Sequence, residues 1–218
     1  MRLLLLRHGQ THGNTQGALD TAFPGLDLTD LGRRQAEAAA RALADRRLSG
    51  LYVSSLLRTH QTAEPIGRAH DLEPRILEGL REVSAGDYEM ATTHEAIEGY
   101  ITTVGAWIER RYDVRMPGGE SGHEFLERYD AAIDSILGDG HESAILISHG
   151  AAIRTWVSAR VPGLESHSQA AAPLHNTACI EVTGEGRDWE LTSWHSEPIG
   201  GAFLEDLTAP DPTGQEVD

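Results

Sequence analysis

The sequence predicts an α/β fold in which a mostly parallel central sheet lies between two helical layers, a three-layer α/β/α sandwich. Three short, largely apolar runs lead there: RLLLL at residues 2–6, LYVSS at 51–55 and SAILIS at 143–148. Such runs read as strands buried on both faces. Stretches with helical spacing lie between them. Strands that alternate with helices build parallel sheets, because each crossover helix returns the chain to the same end of the sheet.

The elements follow in order. Residues 2–6 form the first strand. Thr29 is placed to cap a helix that an alanine-rich stretch carries to about residue 47. The second strand, 51–55, leads into a helix over 57–69, and residues 94–111 are helical. Between 121 and 137, Phe125, Tyr129, Ala132, Ile133 and Ile136 recur on one helical face. The strand at 143–148 runs at once into a helix over 151–161, and strands near 179–183 and 189–194 complete the sheet. From residue 205 the chain has five carboxylate residues, two prolines and no basic residue. That composition predicts a disordered acidic tail, 205–218, after a single domain over 1–204.

At 218 residues the chain can bury one sizeable core. Its apolar run at 3–6 is too short for a secretory leader or a membrane span. The single cysteine, Cys179, permits no internal disulfide and fits a reducing compartment, so a cytoplasmic protein is expected. The net charge is −16, and all 18 basic residues are arginine. Without lysine there is no P-loop lysine and no Schiff-base nucleophile. So acidic a chain is not expected to bind nucleic acid, which needs basic patches. An anionic substrate must therefore be held in a local basic pocket.

Open parallel sheets bind ligands beyond the carboxyl ends of their strands. Three expected strand ends carry polar or ionisable residues there: Arg7-His8-Gly9, Ser54-Ser55 leading into Arg58, and Ser148-His149-Gly150. Two histidines and two arginines then converge on one rim. His8 and His12 have a spacing used by zinc sites on helices, but Gly9 and Gly13 argue against a helix there. No metal or cofactor is expected, and His12, His60 and His123 read as incidental.

The segment LLRHGQTHGN, with Arg7, His8, Gly9, Gln10, Thr11 and Asn14, resembles the signature of the histidine phosphatase superfamily, phosphoglycerate-mutase-like branch. LTDLGRRQA (28–36), SSLLRTHQTA (54–63), LREVSAGDYE (80–89), PGGES (117–121) and SHG (148–150) resemble the family's further blocks in its order, and LHNTA (174–178) is a weaker match. The resemblance implies a phosphoglycerate-mutase-like fold, His8 as covalent nucleophile, a phosphate cage of Arg7, Arg58 and His149, and Glu82 as general acid. Gln10, Asn14 and Gly150 are the implied substrate-binding positions.

The chemistry suits these residue types. Phosphoryl transfer needs a nucleophile, a cage for three equatorial oxygens and a proton for the leaving oxygen. Arginines stay charged and offer forked donors, and they favour the neutral imidazole that a nucleophile needs. His149 suits the cage best as a cation. Glu82 must stay protonated near neutrality, and Glu78 and Glu89 are competing carboxylates. Met90 stands where the family often has glycine, and the stretch between Gly17 and Leu28 is longer than the tightest family spacing; both bear on specificity. The expected function is a phosphatase acting on a small phosphorylated metabolite. The alternatives are a phosphoglycerate mutase using the same phosphohistidine, disfavoured because residues 89–117 hold no lysine and no proline run, and a non-catalytic anion-binding module. No membrane partner is expected, and a homodimer is left open.

Overall fold

Leu3, Leu4, Leu5 and Leu6 are all at most 1% exposed, because β1 (Arg2–Arg7) is an interior strand of a six-stranded sheet. The computed structural model describes residues 1–164 and 171–214. On one side β1 runs parallel to β4 (Ser143–Ser148), followed outward by β2 (Gly50–Val53) and β3 (Arg75–Ile76), both parallel. On the other side the antiparallel hairpin of β5 (Cys179–Glu185) and β6 (Asp188–His195) closes the sheet, giving the order β3-β2-β4-β1-β5-β6.

Successive strand residues point to opposite faces, so each run feeds two cores. Leu4, Leu6, Leu51, Val53, Ile145 and Ile147 pack against α2 (Asp30–Leu43) and α3 (Leu57–His70). Leu3, Leu5, Tyr52, Leu146 and Ile180 pack under α4 (His94–Ile108), α5 (Gly122–Gly138) and α6 (Gly150–Arg160). A chain of rings ties this second layer together: Trp107, Phe125, Tyr129, Trp156 and Trp189 follow one another at centroid separations of 5.6–6.0 Å. Removing any of the fully buried rings costs about 3–5 kcal/mol. The expected α/β/α sandwich with a mostly parallel sheet is what forms.

Several element ends differ from expectation. The helix from Asp30 stops at Leu43 rather than 47, and the chain turns there to enter β2 at Gly50. α4 stops at Ile108 because Arg110 adopts a φ of 66°, and the amides of Arg110 and Arg111 turn back onto the carbonyls of Trp107 and Ala106. β2 ends at Val53, which frees Ser54 and Ser55. The short, exposed β3 carries no buried pattern that a sequence could show. A single turn, α1 (His12–Gln16), does form despite Gly13; it starts beyond His8, and His12 is exposed.

The tail behaves differently from its composition. Residues 205–214 pack across the carboxyl edge of the sheet: Asp206 accepts from Gln10, Asp211 pairs with Arg7, and the Gly214 carbonyl accepts from the Leu174 amide. Residues 215–218 lie outside the described residues.

The loop after β1 is seated directly on the first turn of α2, where Thr29 accepts from the Gly32 amide at 3.0 Å. A Cβ on Gly9 would come within 2.6 Å of the Gly32 carbonyl oxygen, and one on Gly32 would collide with that of Gln10. Gly32→Ala is therefore expected to destabilise the fold by about 1–3 kcal/mol through overpacking, although alanine favours a helix by up to ~1 kcal/mol. Thermal and urea unfolding measure the sign, and an increase in stability would mean that the two backbones are not in contact.

Candidate active site

Arg7 and Ser148 face each other in the last rung of the β1–β4 ladder, and Val53 faces Ile147 in the β2–β4 ladder. The residues that follow, His8, His149 and Ser54, therefore leave the sheet side by side. The His8 and His149 rings stand with centroids 5.2 Å apart and planes tilted by 58°. On the other flank β5 begins at Cys179 opposite Leu6, which brings Asn176 and Thr177 to the same rim. Both donate to the His8 carbonyl oxygen, at 3.2 and 3.3 Å.

His8 is 2% exposed, and its Nδ1 lies 2.8 Å from the Gly9 carbonyl oxygen. A carbonyl only accepts, so Nδ1 carries the proton and Nε2 is left with its lone pair. Burial first, then the charges of Arg58 and Arg7, hold the His8 pKa well below the ordinary imidazole value of 6.5. This ring is a neutral nitrogen base at neutral pH.

His149 is held in the complementary tautomer. Its Nδ1 accepts from Arg58 Nε at 3.3 Å, and its Nε2 donates to Ser54 Oγ at 2.8 Å. Burial, with Arg58 next, again depresses its pKa well below 6.5. The imidazolium expected for His149 is therefore not its resting state.

Arg58 is 2% exposed and reaches the loop after α1: its Nη2 donates to the Asp20 carbonyl at 3.0 Å, and its Nη1 lies 3.4 Å from Asp20 Oδ2. Burial pulls its pKa down, with Asp20 the main opposing charge. Gly25 lies against the same guanidinium, with a φ of 76° and no room for a Cβ, which would fall 2.5 Å from Nη1. Arg7 is wholly buried: Nη1 donates to the Leu174 carbonyl at 2.7 Å, and Nη2 meets both oxygens of Asp211, at 2.8 and 2.7 Å.

Glu82 sits under the amino end of α6. Its Oε1 accepts from the amides of Val83 and Ala152, both at 2.8 Å, and its Oε2 from that of Ala151 at 3.4 Å. Burial raises its pKa, against the downward pull of those amides and of Arg58 and Arg7. The competing carboxylates are placed otherwise. Glu89 clamps Thr21 and the Ala22 amide, and Glu78 is exposed beside Arg81. Met90, after Glu89, has a φ of 60°, a conformation that favours glycine.

The structure thus brings Arg7, His8, Arg58, Glu82 and His149 to one rim, with Gly150 opening α6 there. A Cβ on Gly150 would come within 3.1 Å of Arg7 Nε. Asn14 is also at the rim, its Oδ1 bound by the Thr11 amide at 2.9 Å and its Nδ2 donating to Asp211 at 2.8 Å. Gln10 is engaged at both ends as well: Asp206 accepts from its Nε2 at 2.9 Å, and Thr29 donates to its Oε1 at 2.7 Å. Sequence reasoning missed Asp20, Asn176 and Asp211; only Asn176 had a signal, in the weak LHNTA match.

The model of the histidine phosphatase superfamily (branch 1) matches residues 3–197. A probable phosphoglycerate mutase, GpmB, of Proteus mirabilis is 31% identical over 208 residues, covering 92% of this chain and 93% of that protein. A PE-PGRS family protein of Mycobacterium tuberculosis is 33% identical over 217 residues; these cover 91% of this chain but span only 37% of that longer protein. Among solved structures, a mycobacterial glucosyl-3-phosphoglycerate phosphatase in complex with VO3 superimposes with a TM-score of 0.75 at 28% identity, over 89% of this chain and 98% of that one. The chain is an enzyme of the histidine phosphatase superfamily, branch 1.

Proposed function

We propose that the chain is a phosphatase that hydrolyses a phosphomonoester of a small metabolite through a phosphohistidine on His8. The observation that carries this reading is the state of His8, whose Nδ1 is fixed on the Gly9 carbonyl while its Nε2 is left unprotonated beside two buried guanidiniums. In the first step Nε2 attacks phosphorus, the ester P–O bond breaks, and the leaving oxygen takes the electron pair and a proton from Glu82. Arg7 and Arg58 hold the equatorial oxygens, whose charge is the main thing such a site stabilises, and His149 joins them as a donor once the arriving dianion favours protonation of its Nδ1. In the second step a water oxygen bonds to phosphorus, its proton goes to Glu82, and the N–P electron pair returns to Nε2. Because the guanidiniums supply the positive charge, this cycle needs no metal ion.

A mutase has the same first step, and the GpmB relatives bear that name. Hydrolysis is favoured by a pocket of about 510 Å³ that Glu82 lines together with Phe23, Arg81, Glu120, Glu124 and Arg128. Each guanidinium there already has a carboxylate partner: Arg128 with Glu120 at 2.6 Å and Arg81 with Glu78 at 3.4 Å. Phosphoglycerates carry a carboxylate that a mutase must anchor. A pocket of paired charges instead suits a neutral, hydroxyl-bearing leaving group. The phosphatase name of the mycobacterial structure also supports hydrolysis.

Wild-type enzyme, mixed rapidly with labelled nitrophenyl phosphate and quenched, is expected to carry an acid-labile, alkali-stable label that decays within seconds. His8→Ala should carry none and turn nothing over. A phosphoenzyme lasting many minutes, with 2- and 3-phosphoglycerate interconverted faster than phosphate appears, would establish the mutase instead.

Glu82→Gln is expected to damage alkyl phosphate turnover far more than nitrophenyl phosphate turnover, since a nitrophenolate leaves without a proton. Equal losses would give Glu82 a structural role.

The pH dependence has a definite sign. Neutral His8 is the reactive form and its pKa is lowered, so the neutral fraction persists as pH falls past 6.5. After correction for ionisation of the substrate, the acid limb of kcat/KM should lie below 6.5. A limb at or above that value would place the nucleophile in a different environment.

A further inference from the structure

The segment 205–214 is acidic, yet it is built into the rim rather than trailing from it. Asp211 is its centre. Asp211 Oδ2 lies 2.7 Å from Arg7 Nη2, and Oδ1 accepts from Arg7 Nη2 and from Asn14 Nδ2, each at 2.8 Å. Thr213 Oγ1 also accepts from Arg7 Nη2 at 3.2 Å and sits 3.3 Å from Asp211 Oδ1. The backbone of Gly214 lies so close over Arg7 Nη1 that a Cβ there would collide with it. This stretch is anchored from below, where Arg154 donates to the Thr213 carbonyl at 3.1 Å and the Leu174 amide to the Gly214 carbonyl at 3.1 Å.

One donor of Arg7 is left over. Its Nε is buried and meets no hydrogen-bond partner among the described residues. That atom lies beside Gly150, the first residue of the helix that follows His149. A buried, charged donor without an acceptor is costly unless a ligand supplies one. The two terminal nitrogens are spent on the Leu174 carbonyl and on Asp211, while the remaining N–H lies beside Gly150, which the Thr213 carbonyl also approaches.

The geometry points to Asp211 as a positioning residue of the phosphate cage, which clamps the Arg7 guanidinium and the Asn14 amide so that Arg7 Nε is presented to a phosphoryl oxygen. Asp211 touches no reacting atom and acts through Arg7. Its carboxylate also balances the buried charge, so that the cation is held in place without being pulled out of the site. Placed about 200 residues after His8 in the chain, the tail makes the cage complete only when the whole chain has folded. The inference rests on the phosphatase reading.

The test compares Asp211→Asn with wild type in the full chain, reading kcat and KM for nitrophenyl phosphate, inhibition by orthovanadate, and melting temperature. Asparagine preserves the shape and the acceptor for Asn14 but removes the charge that fixes Arg7. The expected result is a loss of about tenfold in kcat/KM, as misplacement of a positioned group gives, with vanadate inhibition weakened in parallel. In an Arg7→Ala background, Asp211→Asn should weaken vanadate inhibition by less than about twofold, since the residue it positions is gone. Asp211→Glu should recover part of the loss. A gain in kcat/KM or tighter vanadate inhibition in Asp211→Asn would show that the carboxylate competes with substrate for Arg7, and would overturn the proposal. So would a lowered melting temperature with unchanged kinetics, or the same loss with Arg7 absent. Wild type without phosphohydrolase activity would sink the phosphatase reading instead, which separates the two failures.

Discussion

In a parallel ladder the two partners of a rung leave the sheet at the same level and in the same direction. Arg7 and Ser148 are such partners in β1 and β4, with Val53 and Ile147 one step earlier in β2 and β4. Everything chemical in this protein depends on that register. A slip of one residue would turn Leu3–Leu6 inside out between the two cores and send His8 to the opposite face from His149. The fully buried leucines and isoleucines of both strands, packed on both sides, make such a slip prohibitive. The hydrophobic pattern that specifies the fold is therefore the same pattern that sets two imidazole rings 5.2 Å apart.

A second constraint is electrostatic. Two guanidiniums at 0% and 2% exposure must find partners, because an unpaired buried cation costs several kcal/mol. They find them unequally. Arg7 is bound at 2.7 Å by Asp211, whereas Arg58 has Asp20 at 3.4 Å and spends its Nε on His149. Arg58 is thus the looser of the two and Arg7 the more firmly placed. Burial first, and their summed field next, keep both histidines neutral, which the proposed nucleophilic role of His8 requires. In a chain of net charge −16 this rim gathers two buried guanidiniums, each matched by one carboxylate.

What could be read from the sequence follows from the same physics. The three strand ends were legible because apolar runs announce buried strands, and the residue after each run has to emerge at the rim. Arg7, His8, Arg58, Glu82 and His149 were legible through the motifs that surround them. Ser54 was legible as a strand end, though not as the partner that fixes the tautomer of His149, whereas Asp20 and Asp211 act through distance in space: Asp20 arrives on a loop and Asp211 comes from the far end of the chain. Composition misled most at the tail. A segment poor in apolar residues reads as disordered when judged alone, but residues 205–214 gain their order from Gln10, Asn14, Arg7 and Arg154, which belong to a surface the segment itself does not encode. Helix ends were blurred for a more local reason, since nothing in Arg110 announces a left-handed conformation.

Glu82 shows how burial and hydrogen bonding divide the work. In the proposed reaction Glu82 is an acid that later serves as a base and must exchange its proton within each cycle, so neither state can be strongly locked. Burial alone would keep the carboxyl protonated, and three amides alone would keep it ionised. Glu82 has both influences, with burial the larger and the amides of Val83 and Ala152 opposing it. The helix that supplies two of those amides begins immediately after His149. Glu82 and His149 are therefore tied to the same rigid element, and in the proposed reaction the group that protonates the leaving oxygen and the group that holds the phosphoryl oxygens would keep their relative positions through both steps.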